Sequence, residues 1–113
     1  MGIFNPFKKK QQKNDLEIRE IALINAQYIC KTTENIADYA QLIIDYHEMG
    51  KCDVSCCERA VNIATEAAEI GKKSALVVRD PDIDKVEPTI SACKQRIDEL
   101  NNEITSLVKK VQS

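Results

Sequence analysis

The chain is 113 residues long, 43% hydrophobic and 30% charged, with no Trp, three Gly and three Pro; this is one domain's length, too apolar for a disordered chain and too poor in aromatics and breakers for a β-sandwich. The net charge is −2, with Lys8, Lys9, Lys10 and Lys13 gathered at the start, so the remainder stands at about −6 and offers no basic face to nucleic acid. No apolar run approaches the roughly eighteen residues of a membrane span and no signal-peptide pattern opens the chain, so a cytoplasmic protein with reduced thiols is expected from its five Cys.

Residues 1–13, MGIFNPFKKKQQK, read as a basic and apolar arm in front of a helical bundle formed by residues 14–113. Ile3, Phe4 and Phe7 beside Lys8, Lys9 and Lys10 are the candidates for peripheral contact with an anionic membrane surface. Pro6 is expected to interrupt any helix in the arm, and it occupies the place where an N-myristoylation motif needs Ser or Thr. The competing expectation is an arm that packs its apolar residues on the bundle or stays unstructured.

The first predicted helix covers about 15–49. In heptad notation Ala22, Ile29, Ile36 and Ile43 fall at a, with Ile18, Asn25, Thr32, Tyr39 and Tyr46 at d. Ile21, Tyr28, Asn35, Leu42 and Met49 form g, and Leu16, Leu23, Cys30, Ala37 and Ile44 form b. Position f is Glu20, Gln27, Glu34, Gln41 and Glu48, polar throughout. Five consistent heptads are a strong helix signal, and Gly50 is a natural stop. Asn25, Thr32 and Asn35 are expected to face inward and to set register, as a buried Asn does in coiled coils.

The second predicted helix covers about 53–79. Asp53 is the expected N-cap and Asp80-Pro81 the expected stop. Its expected core seam is Val54, Cys57, Val61, Ala64, Ala68, Gly71, Ala75 and Val78, mostly small, with Ala60, Ala67, Cys56, Ile63, Ile70 and Val77 alongside. The third predicted helix covers about 84–112, with Val86, Ile90, Cys93, Ile97, Leu100, Ile104, Leu107 and Val111 alternating by four and three. Asp84 and Glu87 resemble a capping box. Cys30 and Cys93 are expected near mid-height, level with Gly71 and within reach of each other. The acids of RDPDIDKVEPTIS are not a calcium loop, because Lys85 stands where Gly is needed and Ser91 where Glu is needed.

The stretch HEMGKCDVSCCE joins the first two helices and holds the only histidine. His47, Cys52, Cys56 and Cys57 there are the candidate metal ligands, with zinc as the ion that thiolate and imidazole suit. Their spacing matches no paired-knuckle zinc pattern. The packing alternative is specific: with Asp53 as N-cap, Cys52 and Cys57 occupy the two positions of a hydrophobic staple. No Ser/His/Asp or Cys/His/Asn arrangement and no Gly-rich phosphate loop points to an enzyme.

The widths of the apolar arcs carry the functional expectation. They are roughly 220° for the first helix, roughly 160° for the second and roughly 60° for the third. A helix in a three-helix bundle has two neighbours, so the first has apolar surface left over along Leu16, Leu23, Cys30, Ala37 and Ile44. The reading is therefore an all-α, antiparallel three-helix bundle of long coiled-coil-like helices, with no cofactor. It would serve as a non-enzymatic interaction or adaptor module, self-associating through helix one, most simply as a twofold dimer. The alternatives are a metal- or thiol-responsive protein using the cysteine turn and a membrane-surface protein using the arm.

Overall fold

The computed structural model describes the backbone of residues 6–113 and the side chains from Asn14 onward. It contains three helices, α1 (Pro6–Glu48), α2 (Val54–Val77) and α3 (Ile83–Gln112), and no strand among the described residues. Each helix packs against the other two in an elongated bundle of 76 × 19 × 15 Å. This is the all-α three-helix bundle expected from the periodicity.

The ends of the helices follow from local chemistry. α1 starts at Pro6, about nine residues ahead of the predicted start. Proline breaks a helix interior, but at the first position its missing N–H leaves nothing unsatisfied and its φ is already helical. The backbone of residues 6–13 thus continues into α1. Ile3 and Phe4 lie outside the described residues, as do the side chains of Phe7, Lys8, Lys9 and Lys10.

At its other end α1 closes in a Schellman motif: Gly50 N donates to His47 O at 2.9 Å and Lys51 N to Tyr46 O at 2.9 Å. The motif needs a left-handed residue, and Gly50 supplies it at φ 76°. Three residues later Asp53 caps α2, its carboxylate accepting from Cys56 N at 3.0 Å. The entry to α3 differs from expectation. The cap is Asp82, which accepts from Asp84 N at 3.1 Å, and Asp80 accepts from Asp82 N at 2.9 Å. Two successive Asp side chains thus turn the chain before Asp84 is reached, and Asp84 lies inside the first turn.

At 1.5 Å per residue, α1 is about 65 Å long, α2 about 36 Å and α3 about 45 Å. The early turns of α1 therefore run past the α2–α3 connection. Arg19 marks that level, its two guanidinium nitrogens donating to Val78 O and Asp80 O, each at 2.8 Å. A planar fork is suited to two carbonyls left open at a helix C-terminus, and it ties the connection to α1.

The core is built on the predicted a positions of α1. Ala22, Ile29, Ile36 and Ile43 are all buried, joined by Ala26 and Ala40. α3 contributes Val86, Ile90, Cys93, Ile97, Leu100, Ile104 and Leu107 as expected, with Val108 buried and Val111 only half-buried at the fraying end. α2 departs from its predicted seam. Its buried residues are Ala60, Ile63, Ala67, Gly71, Ser74 and Val77, whereas Val54, Val61, Ala68 and Ala75 are exposed. Of the predicted seam Gly71 is buried and Cys57, Ala64 and Val78 are half-buried. The helix is turned by about one residue so that Ile63 and Val77 fill the core, which removes more apolar area from water than the smaller stripe would. Val54, Val61, Ala68 and Ala75 therefore face outward.

This orientation predicts opposite outcomes at adjacent positions. Ile63→Ala should cost about 2–5 kcal/mol in urea unfolding through the cavity it leaves. Val61→Ala, at the predicted seam but exposed, should change stability by no more than about 0.5 kcal/mol.

Candidate interaction face and the cysteine-rich turn

Two contacts orient α1 between its neighbours. On the α3 side, Tyr28 donates its hydroxyl to Asp98 Oδ1 at 2.6 Å, and Lys94 Nζ sits 5.5 Å from the ring centroid. On the α2 side, Thr33 Oγ1 lies 2.9 Å from Ile29 O and 3.2 Å from Ala67 O. Gly71 is what lets the two helices come this close, since a Cβ there would stand 3.3 Å from Thr33 Oγ1. Cys30 is also level with Gly71, its thiol 3.8 Å from Gly71 O.

These contacts leave one line of α1 uncovered, on the side of α2 away from α3. Leu16, Leu23, Cys30 and Ala37 are exposed along it and Ile44 is half-buried. Leu16 keeps 64% of its surface and Leu23 49%, high for residues of that size in a periodic line. Beside it, α2 turns out Val54, Val61, Ala68 and Ala75, again seven residues apart. The two lines meet in a shallow groove of ≈ 210 Å³ between Leu23, Gln27 and Cys30 of α1 and Ala75, Val78 and Arg79 of α2. The result is a two-helix apolar face made largely of small side chains. Its α1 half is the line on which the sequence left apolar surface over. Its α2 half was read as core, and the signal that it is surface was the larger Ile63 and Val77 one position away.

A second groove, ≈ 540 Å³, lies between α1 and the start of α3, lined by Ile18, Ile21 and Asn25 on one side and Pro88, Ser91 and Lys94 on the other. Asn25 is half-buried at its edge, and Asn35 is exposed. Of the three polar residues expected inside α1 only Thr32 is buried, and its hydroxyl donates to Tyr28 O at 2.9 Å, four residues back in its own helix. A hydroxyl satisfied within its own turn does not select a register between helices; the polar contact between α1 and α2 is made by Thr33.

In the turn, the four candidate ligands make separate contacts. His47 Nδ1 lies 2.8 Å from Cys52 O, which places its proton on Nδ1 and fastens the end of α1 to the connection. Cys52 donates its thiol to Ile43 O at 3.5 Å. Cys52 and Cys56 both pack against the main core, while Cys57 borders a shallow surface groove with Glu58, Val61 and Asn62. Cys56 joins Cys52 against the core, and Cys57 lies close enough to Cys52 to add to its shift. Among the described residues no three His, Cys, Asp or Glu side chains are arranged to hold a metal ion. Burial pushes the Cys52 and Cys56 thiols up, and the carboxylate of Asp53 adds to the shift at both. A raised thiol is a poorer nucleophile and a poorer metal ligand near neutral pH. Cys93, buried in the core, is raised for the same first reason. Cys30 and Cys93, close enough in level to touch, do not meet: Cys30 is exposed beside Gly71 and Cys93 is inside, and all five cysteines are free.

Comparison with protein-family models, with curated proteins and with solved structures finds no match to this chain. The candidate site is therefore defined by its geometry.

The raised thiols set a pH dependence. In the unfolded chain Cys52, Cys56 and Cys93 ionise in the ordinary thiol range, about pH 8.5. Their preference for the protonated form in the fold stabilises it fully below that range and is lost as pH rises through the raised values. The urea midpoint should fall as pH rises through the thiol range, from about 8 to about 10, and the fall should be shallower in Cys52→Ser/Cys56→Ser. A chromogenic disulfide reagent at neutral pH should modify the exposed Cys30 before Cys52, Cys56 or Cys93.

Proposed function

We propose that this protein is a non-enzymatic helical interaction module that self-associates through α1, with the outward line of α2 completing the contact. The observation that supports this most is the apolar face on α1 and α2, which no described part of the chain covers. Small residues on two parallel-lying lines let a further helix approach closely, and a three-helix bundle has one open side for it. Association would then proceed by helix-on-helix burial of Leu16, Leu23, Cys30, Ala37 and Ile44. Five free cysteines, three of them with thiols held protonated, suit the reducing cytoplasm.

Peripheral membrane contact is the second reading, supported by one observation. α1 begins at Pro6 and runs unbroken through residues 7–10, so Phe7, Lys8, Lys9 and Lys10 sit on a helix that projects beyond the bundle. No helix among the described residues is long and apolar enough to cross a membrane.

Sedimentation velocity at micromolar concentration should show a concentration-dependent dimer. Leu23→Glu should raise its Kd by about tenfold or more, as expected for a charge placed in the centre of an apolar contact, with helicity unchanged because the site is exposed. A monomer at all concentrations would end the self-association reading. Flotation on vesicles containing anionic lipid, with and without residues 1–13, addresses the second; equal behaviour of the two chains removes it.

A further inference from the structure

The uncovered face carries a charge pattern that specifies its own partner. Along its α1 edge the exposed residues are Glu20, Gln27, Glu34, Gln41 and Glu48, charged and neutral in strict alternation. Along its α2 edge they are Glu58, Thr65, Lys72 and Arg79, acidic at one end and basic at the other. The apolar line between them is centred on Cys30, with Leu16 and Leu23 on one side and Ala37 and Ile44 on the other.

We infer that the face binds a second copy of this chain turned end for end, α1 lying antiparallel on α1 about a twofold axis near Cys30. The inference rests on the self-association proposed above and adds its direction and register. In this arrangement Leu16 faces Ile44 of the partner subunit and Leu23 faces Ala37 of the partner subunit, so that a large side chain meets a smaller one at the inner pair. On the α1 edge Glu20 faces Gln41 of the partner subunit, and Gln27 faces Glu34 of the partner subunit. No acid meets an acid. On the α2 edge, where Gly71 is level with Cys30, the reversal brings Lys72 near Lys72 of the partner subunit, so the selection of register comes from the α1 edge. Sliding the copy by one heptad sets Glu34 against Glu34 of the partner subunit, or Glu20 against Glu34 of the partner subunit. A parallel, in-register α1 pair sets every Glu of the edge against itself. Like charges facing across a contact disfavour those registers, so the alternation selects the antiparallel one.

The size is adequate. Beside α2, from Leu23 to Ile44, the line is about 32 Å long at the helical rise. Two helices in a bundle 19 Å across then give roughly 600 Å² of face, the lower end of what one partner contributes to a standard interface.

Gln27 reports the arrangement, because it is exposed and its replacement leaves the core untouched. Sedimentation equilibrium of the full chain should show that Gln27→Lys, which opposes Glu34 of the partner subunit twice by symmetry, lowers the dimer Kd by roughly threefold to tenfold. Gln27→Glu should raise it by a similar factor, and both effects should shrink in high salt. The opposite pattern is expected if α1 lies on α2 of the partner subunit, where Gln27 would come near Lys72 of the partner subunit; that pattern, or no response to either change, overturns the inference. Diamide supplies an independent readout. It accepts two electrons and two protons from a pair of thiols as their disulfide forms and is itself reduced to the hydrazine. Peptide mapping should recover a Cys30–Cys30 cross-link between copies, lost in Cys30→Ser; a covalent dimer formed only through other cysteines, or none, overturns the register. A chain that stays monomeric in all forms overturns self-association itself, whereas a dimer with the reversed charge response overturns only the orientation.

Discussion

The isoleucines at the a positions of α1 are the constraint around which the molecule is arranged. Ile29, Ile36 and Ile43 lose all contact with solvent, and only two other helices are available to enclose them. α3 does so with an almost unbroken line of large aliphatic residues. α2 has two stripes to offer, one of small residues and one that includes Ile63 and Val77. Burying the larger stripe removes more apolar surface from water, and Ala60, Ala67 and Gly71 still keep α2 close to α1. The outward face of α2 is a consequence of that choice.

The same rotation decides the character of the cysteine turn. Once Ile63 points inward, Cys56 packs against the core, and Cys57 is half-buried beside a shallow surface groove. Cys52 and Cys56 then gain desolvation, which raises their thiols and keeps them protonated. His47 is occupied with the carbonyl of Cys52. Residues that look like a ligand cluster along the chain thus act as the fastening between two helices, each with a contact of its own. Arg19 performs the equivalent task at the far end, where it holds the α2–α3 connection against α1. Nothing in the periodicity marks Arg19, because its partners are backbone carbonyls whose position depends on where α2 stops.

The legible and illegible parts of the sequence differ in how local their causes are. Gly50 ends α1 because only a left-handed residue closes that motif, and Asp53 starts α2 because its carboxylate reaches an amide three residues on; both are decided within one turn of chain. The narrow arc of α3 admits one orientation, so its core could be read almost residue by residue. Asn35 was expected inside and is exposed, since it lies at the margin of a wide arc where a few degrees of rotation separate inside from outside. Pro6 was misread for a related reason: proline breaks a helix or begins one according to what precedes it, and the residue type alone does not say which.

The sequence by itself determined three long helices, the connection between α1 and α2, the inner line of α1 and that of α3. It also determined that α1 carries more apolar surface than two neighbours can cover. Only the tertiary structure decided which face of α2 turns inward. The physical reason is that α2 has two stripes one residue apart, both compatible with a helix, and the choice depends on the volume that α1 and α3 leave between them. That choice converts a line expected to be core into half of the exposed face on which the proposed function rests.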